Sequence, residues 1–398
     1  MKDNKLFELN NKLNALSVFR SILDTPVVSS LQKLLYAIEK SPLDDQLRCY
    51  GAFSNAIYEA GGNLSKFVNE FIKEDENFFL IKTTKNAIIS RSICECLDEE
   101  LAVLQELSDL KTPQLIDLID YVNYLPHWDN SPLDLKSEYH QMLDAIPSKG
   151  YGIFARYRAF KIVDGQMKPV KNADSQSIDK LYGYERERNL VYENTKALAF
   201  GKRASNVLLY GDAGTGKSST IKACANAFTD HGVRLVEFDK SQLEDIPEII
   251  DQLYDSPLKF IFFIDDLSFN AGDDSFCFLK GILEGNVTSN SENIAIYATS
   301  NRRHLVRETA EERNGNDIHL NDTLQQTMSL SARFGLTVTF SKPEKDLYLE
   351  IVEKLAAEYG IDMGKDELFH RAEAFAIRNS GRSPRTAKQF VQLLSIGL

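Results

Sequence analysis

With 398 residues, 43% of them hydrophobic and 26% charged, the chain is long enough for two or three domains with real cores and has the composition of an ordinary globular protein. A net charge of −12 excludes a molecule drawn as a whole to nucleic acid or anionic lipid, while leaving room for a local basic patch. Five scattered cysteines (Cys49, Cys94, Cys96, Cys224 and Cys277) form no zinc-site spacing, the N-terminus leads into no apolar signal core, and the longest apolar run, residues 260–264, is too short to span a bilayer. A cytoplasmic protein without a membrane partner is expected, because so few thiols in odd number suit a reducing compartment.

Residues 1–145 read as a helical domain. Leu16, Phe19 and Leu23, then Leu31, Leu34, Leu35 and Ile38, then Phe53 and Ile57, Leu64, Phe67, Phe71 and Ile72, and Ile93, Leu97, Leu101 and Leu104 recur at helical spacing. Cys94-Glu95-Cys96 reads as ordinary thiols in one of those helices. Nothing catalytic stands out, and an interaction role for this domain is the simplest expectation. Residues 146–178 change character. Pro147, Gly150, Gly152 and Gly165 punctuate a linker with a hairpin signal, and Arg156, Arg158, Lys161, Lys168 and Lys171 interleave with Tyr157 and Phe160. Such interleaving suits single-stranded nucleic acid, but a solvated linker or edge hairpin explains it more simply.

Residues 179–341 alternate strand and helix, the pattern of a parallel sheet covered on both faces. Strands are expected at 207–210, 233–238, 259–264, 294–298 and 336–340, and helices near 217–228, 242–254, 274–283 and 320–330. Beyond Pro343 the pattern turns wholly helical, giving a small C-terminal domain over 342–398.

Three strand ends carry the chemistry. The first strand runs into Gly211-Asp212-Ala213-Gly214-Thr215-Gly216-Lys217-Ser218-Ser219, which fits the phosphate-binding P-loop. Its glycines let backbone N–H groups face phosphate oxygens, and the following helix adds its N-terminal partial charge. Lys217 is placed for the β- and γ-phosphates and Ser218 for magnesium. The strand at 259–264 ends in Asp265-Asp266; Asp265 suits the magnesium shell and Asp266 the attacking water. The strand at 294–298 continues into Thr299-Ser300-Asn301, whose Asn301 can bond the water or the γ-phosphate.

This succession resembles the AAA-plus ATPases. The resemblance implies ATP and Mg2+ as ligands, an adenine-contacting segment at Leu181-Tyr182-Gly183-Tyr184-Glu185, and a sensor-one residue at Asn301. It also implies an arginine finger at Arg333, a sensor-two arginine at Arg385, and at least transient self-association. More narrowly, Glu193-Asn194-Thr195, the P-loop, Asp265-Asp266-Leu267-Ser268-Phe269, residues 298–305 and residues 331–336 resemble the bacterial ATPases catalogued as domain of unknown function 815, over about residues 150–398. Most AAA-plus proteins carry Glu where Asp266 stands, and residues 239–257 show no aromatic-apolar-glycine pore loop, which disfavours unfolding by threading. The expected activity is ATP hydrolysis that remodels or loads a macromolecular partner; a nucleotide-dependent binding switch with little turnover is the alternative, and a small-molecule kinase a weaker third.

Overall fold

The computed structural model describes residues 4–85, 87–270, 274–284, 292–301, 306–307, 332–379 and 381–397. The chain divides into two compact units, residues 1–146 with 150–155, and residues 147–149 with 156–398.

The first unit is helical: α1 (Asn4–Asn14), α2 (Pro26–Lys40), α3 (Leu43–Glu59), α4 (Leu64–Glu74), α5 (Phe78–Thr84), α6 (Arg91–Ser108), α7 (Thr112–Ile116) and most of α8 (Leu135–Lys149), followed by the single turn α9 (Ile153–Arg156). The apolar stripes meet in one core, with Leu31, Leu34 and Ile38 of α2 joined by Phe53 and Ile57 of α3, Val68 and Ile72 of α4, and Leu97, Leu101 and Leu104 of α6. Side chains of Thr25, Asn63, Asn77 and Asp134 cap α2, α4, α5 and α8, each worth about 1 kcal/mol. The expected helical run through Leu16, Phe19 and Leu23 is broken. The buried carboxylate of Glu100 accepts hydrogen bonds from the backbone of Ser17 (2.6 Å), Val18 (2.9 Å) and Phe19 (3.0 Å), N–H groups that a continuing helix would have used. Cys94 and Cys96 lie on α6. Burial and a hydrogen bond to Glu100 push the Cys96 thiol up, away from the reactive thiolate.

The second unit is built on a sheet that has seven strands among the described residues. They are β1 (Ala159–Val163), β2 (Gln166–Pro169), β3 (Val207–Gly211), β4 (Val233–Phe238), β5 (Lys259–Ile264), β7 (Ile294–Ser300) and β9 (Leu336–Phe340), in the order β2-β1-β4-β5-β7-β3-β9. A separate pair joins β6 (Phe269–Asn270) and β8 (Val306–Arg307). All neighbours in the large sheet are parallel except the hairpin β1–β2. Its inner strands are apolar on both faces because both are covered. Ile261 and Phe263 of β5 share a core with Val191 and Leu198 of α10 (Glu185–Ala199) and with Ile221 and Cys224 of α11 (Lys217–Ala227). Phe260, Phe262 and Ile264 are buried as well, as are Ile246, Ile249 and Ile250 of α12 (Ile246–Leu253). Residues 242–245, expected within that helix, belong to a 3-10 helix at Lys240–Asp245 instead, because Pro247 has no N–H to extend the α-helix backwards. Helix α13 (Asp274–Leu283) follows β5, and the helix expected at 320–330 lies outside the described residues.

Residues 159–169 form a hairpin within 146–178, β1 with β2, and it joins the large sheet. Ala159, Phe160 and Lys161 pair in parallel with Leu235, Val236 and Glu237, and Phe160 is fully buried. Its ring is therefore in the core and cannot stack on a base. After β9 come α14 (Lys345–Glu358), α15 (Lys365–Arg378) and α16 (Pro384–Ser395), packed on one another through Tyr348, Val352, Leu355, Ala372, Ala376, Phe390 and Val391. No described helix is long and apolar enough to cross a membrane.

Candidate functional site

The strand order decides what meets what. The acidic strand β5 is not the neighbour of the P-loop strand β3; β7 lies between them. In register, Ile264 pairs with Ala298 and Tyr210 with Ser300, so the three strands end together. Asn301, at the tip of the middle strand, bridges the other two. Its Oδ1 accepts from Lys217 Nζ (3.0 Å) and its Nδ2 donates to Asp266 Oδ1 (2.7 Å). Those partners fix the amide's orientation, because an ammonium only donates and a carboxylate only accepts.

Lys217 is buried. Its ammonium spends its other protons on the carbonyls of Gly211 (2.9 Å) and Asp212 (2.8 Å). Burial lowers its pKa; Asp212, Asp266 and Asp265 work against that, and Arg385 adds to it. Two glycines are required nearby. Gly211 has φ +135°, and a Cβ there would collide with the backbone of Phe340. Gly216, at φ +93°, begins α11 without a side-chain cap, so the first-turn N–H groups remain for an anion. Thr215 Oγ1 donates to Asp212 O (2.8 Å) and tightens the loop.

Beside the loop, Asp265 Oδ1 accepts from Ser218 Oγ (2.6 Å) and from Thr299 Oγ1 (2.6 Å). The hydroxyl and carboxylate of Ser218 and Asp265 are the hard oxygen donors that Mg2+ prefers, one or two from protein being its usual share. Thr299 was not singled out from sequence, although the polar Thr-Ser-Asn tip of an apolar strand was its signal. Besides donating to Asp265, its hydroxyl accepts from the N–H of Asp266 (2.9 Å) and sets how the two acids diverge. Asp266 has φ +50°, a left-handed backbone that Asp adopts more readily than longer side chains. That preference accounts for Asp where the resemblance expects Glu.

Gly183 and Tyr184 both take positive φ and turn the chain sharply ahead of α10. A Cβ on Gly183 would press on Ile351 and Leu347 of α14. The Tyr184 hydroxyl donates to Ser341 O (2.6 Å) and its ring lies against Phe340. The Arg188 guanidinium donates to Leu181 O, and burial lowers its pKa. Asp212 accepts from the N–H of Lys342 (2.8 Å), tying the P-loop to the segment that leads into the C-terminal helices. Those helices return to the loop at Arg385, whose N–H donates to Gly214 O (3.2 Å). Arg382 instead pairs with Glu373 through two bonds of 2.8 and 2.6 Å. Behind the P-loop, the Asn194 and Thr195 side chains hold the buried Tyr297 hydroxyl (2.9 and 3.0 Å), and Asn194 also bonds the backbone of Ser205.

A cleft of about 790 Å³ gathers most of these groups. Its walls include residues 213–220, Asp265, Asp266, Thr299 and Asn301, the segment 180–184, and Ile351, Leu355 and Arg385 of the C-terminal helices. Gly211 and Asp212 do not line it. Arg333 is not part of it; its guanidinium pairs with Glu284 of the same chain.

The model of a family described as a protein of unknown function, DUF815, matches residues 154–397. The chain belongs to that family. The matched stretch contains the P-loop, both acids, Asn301, Arg333 and Arg385, so the whole cleft falls within the DUF815 region. In its sheet the P-loop strand β3 lies between β7 and β9, parallel to both, and three helices follow β9. No curated protein matches the chain. Solved structures similar to it include the Thermotoga maritima RuvB Holliday junction branch migration motor, at 15% identity and TM-score 0.37 over 55% of this chain. Another is C. elegans PCH-2, at 16% identity and TM-score 0.38 over 56% of it. The chain spans 63% and 65% of those two proteins' own lengths.

Proposed function

We propose that this DUF815 member is a magnesium-dependent ATP hydrolase whose turnover remodels or loads a macromolecular partner. The observation that carries the reading is the bridge Lys217–Asn301–Asp266, which joins the P-loop to the acidic strand through the middle strand's tip. Residues 213–219 cradle the phosphates with backbone N–H groups. Lys217 exchanges its bonds to the Gly211 and Asp212 carbonyls for phosphate oxygens. Ser218 and Asp265 hold Mg2+, which when bound neutralises charge on the phosphate oxygens. Asp266 orients the attacking water and Asn301 keeps that carboxylate turned toward Lys217. Gly183 and Tyr184 border the base, and Arg385 brings the C-terminal helices to the γ-phosphate.

The binding-switch reading draws on one feature, the short Asp266 side chain already engaged by Asn301. Steady-state phosphate release separates the two. The helical first unit is the proposed site of partner contact, and self-association the proposed working state.

Arg385→Ala is expected to shrink the difference in protease sensitivity between the ATP and ADP states, because the C-terminal helices then lose their tie to the γ-phosphate. Arg382→Ala should leave that difference in place, since Arg382 is held by Glu373. An unchanged digestion pattern in Arg385→Ala removes the role.

Arg333 is proposed as a finger serving a neighbouring subunit, for which it must exchange Glu284 for phosphate. Arginine fingers are worth about 10³ to 10⁵ in rate. Arg333→Ala should bind ATP normally and turn over slowly, activity of the intact chain should rise with protein concentration, and mixing Arg333→Ala with Lys217→Ala should restore turnover. No rescue, although mixed oligomers form, assigns Arg333 to its intrachain pair.

A further inference from the structure

We infer that Thr299 is the positioning residue of the magnesium site: its hydroxyl holds Asp265, and through Asp265 the Ser218 hydroxyl, in the arrangement that takes the cation. This rests on the ATP reading above and adds to it a residue that need touch neither nucleotide nor metal.

A hydroxyl has one hydrogen, so the bond it donates decides where its lone pairs face. Asp265 Oδ1 accepts from Ser218 Oγ (2.6 Å), from Thr299 Oγ1 (2.6 Å) and from the Asp266 N–H (3.1 Å). A carboxylate only accepts, so both hydroxyls spend their hydrogens on it. Ser218 thereby turns its lone pairs away from Asp265, as an alcohol must to ligate a cation. Thr299 gives a lone pair to the Asp266 N–H (2.9 Å).

Thr299 is the anchored member of this cluster. It lies on β7, the strand between β3, which leads to the loop of Ser218, and β5, which leads to Asp265. It pairs in register with Leu209 of β3, its carbonyl accepts from the Leu267 N–H (2.7 Å), and only 2% of it is exposed. Its branched Cβ restricts the side-chain torsion further. Asp265, by contrast, stands just past the end of β5, ahead of the left-handed Asp266. Without the Thr299 hydroxyl, Asp265 keeps the N–H of its own neighbour and Ser218, the group it has to orient. The carboxylate is then free to rotate and Ser218 to turn with it. Partners that orient a metal's ligands are typically worth about 10- to 100-fold in metal affinity.

Calorimetric titration of the full chain with ATP, once in excess Mg2+ and once in EDTA, tests this. Thr299→Val and Thr299→Ala both lose the hydroxyl, the first keeping the volume and the second placing no methyl group against the carboxylates; Thr299→Ser keeps it. The gain in ATP affinity on adding Mg2+ should fall about tenfold in the valine and alanine variants and stay within about threefold of wild type in the serine variant. Affinity in EDTA should stay within about twofold of wild type in all of them, because the phosphate loop is untouched, whereas general damage to the site lowers both affinities together. A wild-type magnesium gain in the valine or alanine variant, or a serine variant that loses as much as they do, overturns the role of Thr299 while the ATP reading stands. A wild type whose ATP affinity ignores Mg2+ overturns the metal assignment to Ser218 and Asp265 as well, and a wild type that binds no ATP overturns the proposed function itself.

Discussion

Replacing Lys217 by alanine is expected to weaken ATP binding at least about 100-fold, the size of two lost charge-assisted bonds to phosphate. The fold should survive. The ammonium's partners within the chain are two loop carbonyls and Asn301, and burial already works against its charged form. The loop itself is shaped by Gly211, Gly216 and Thr215, which the substitution leaves alone. Calorimetry on a folded variant gives the answer, and wild-type affinity for ATP with Mg2+ would contradict the phosphate role of the loop.

The two acids are expected to separate. Asp266→Asn should bind ATP nearly as tightly as wild type and hydrolyse it about 100-fold more slowly or worse, the usual scale for a lost proton-accepting or water-orienting group. The asparagine keeps an oxygen for Asn301 but loses the negative charge. Asp265→Asn should act earlier, on magnesium-dependent binding, because Asp265 shares its oxygen with Ser218 and Thr299 at the proposed metal position. Equal hydrolysis by both variants and the wild type would remove the acidic strand from the chemistry.

The P-loop, the acidic strand end and Asn301 were legible because each is a local pattern, an apolar strand that runs into polar or glycine residues. The strands at 207–210, 233–238, 259–264 and 336–340 were legible for the same reason. The order of those strands was not. Hydrophobic runs say which residues are buried and not which strand lies beside which, so the insertion of β7 between β3 and β5 came only from the structure. That insertion is what gives Asn301 both of its partners and Thr299 its place at Asp265.

Other features depend on residues far apart in the chain. The pairing of Arg333 with Glu284, and of Arg382 with Glu373, cannot be read from spacing. The basic and aromatic residues of 155–171 suggested a solvated linker or edge hairpin; the hairpin does form the sheet's edge, with β2 outermost, but the pairing of β1 with β4, which takes Phe160 into the core, was not legible. The left-handed backbone of Asp266 was also hidden, since Asp ends many strands without it. Glu100 shows the same limit in the helical unit: its carboxylate ends a helical pattern more than eighty residues away, at Ser17 to Phe19.

Phosphate release from ATP by the wild-type chain, followed at steady state with and without Mg2+ over a range of protein concentrations, tests the proposed hydrolysis most directly. Magnesium-dependent release whose rate per chain climbs with concentration, and which the Asp266→Asn substitution suppresses, is the predicted result. A chain that binds ATP with Mg2+ yet releases no phosphate at any concentration would contradict it.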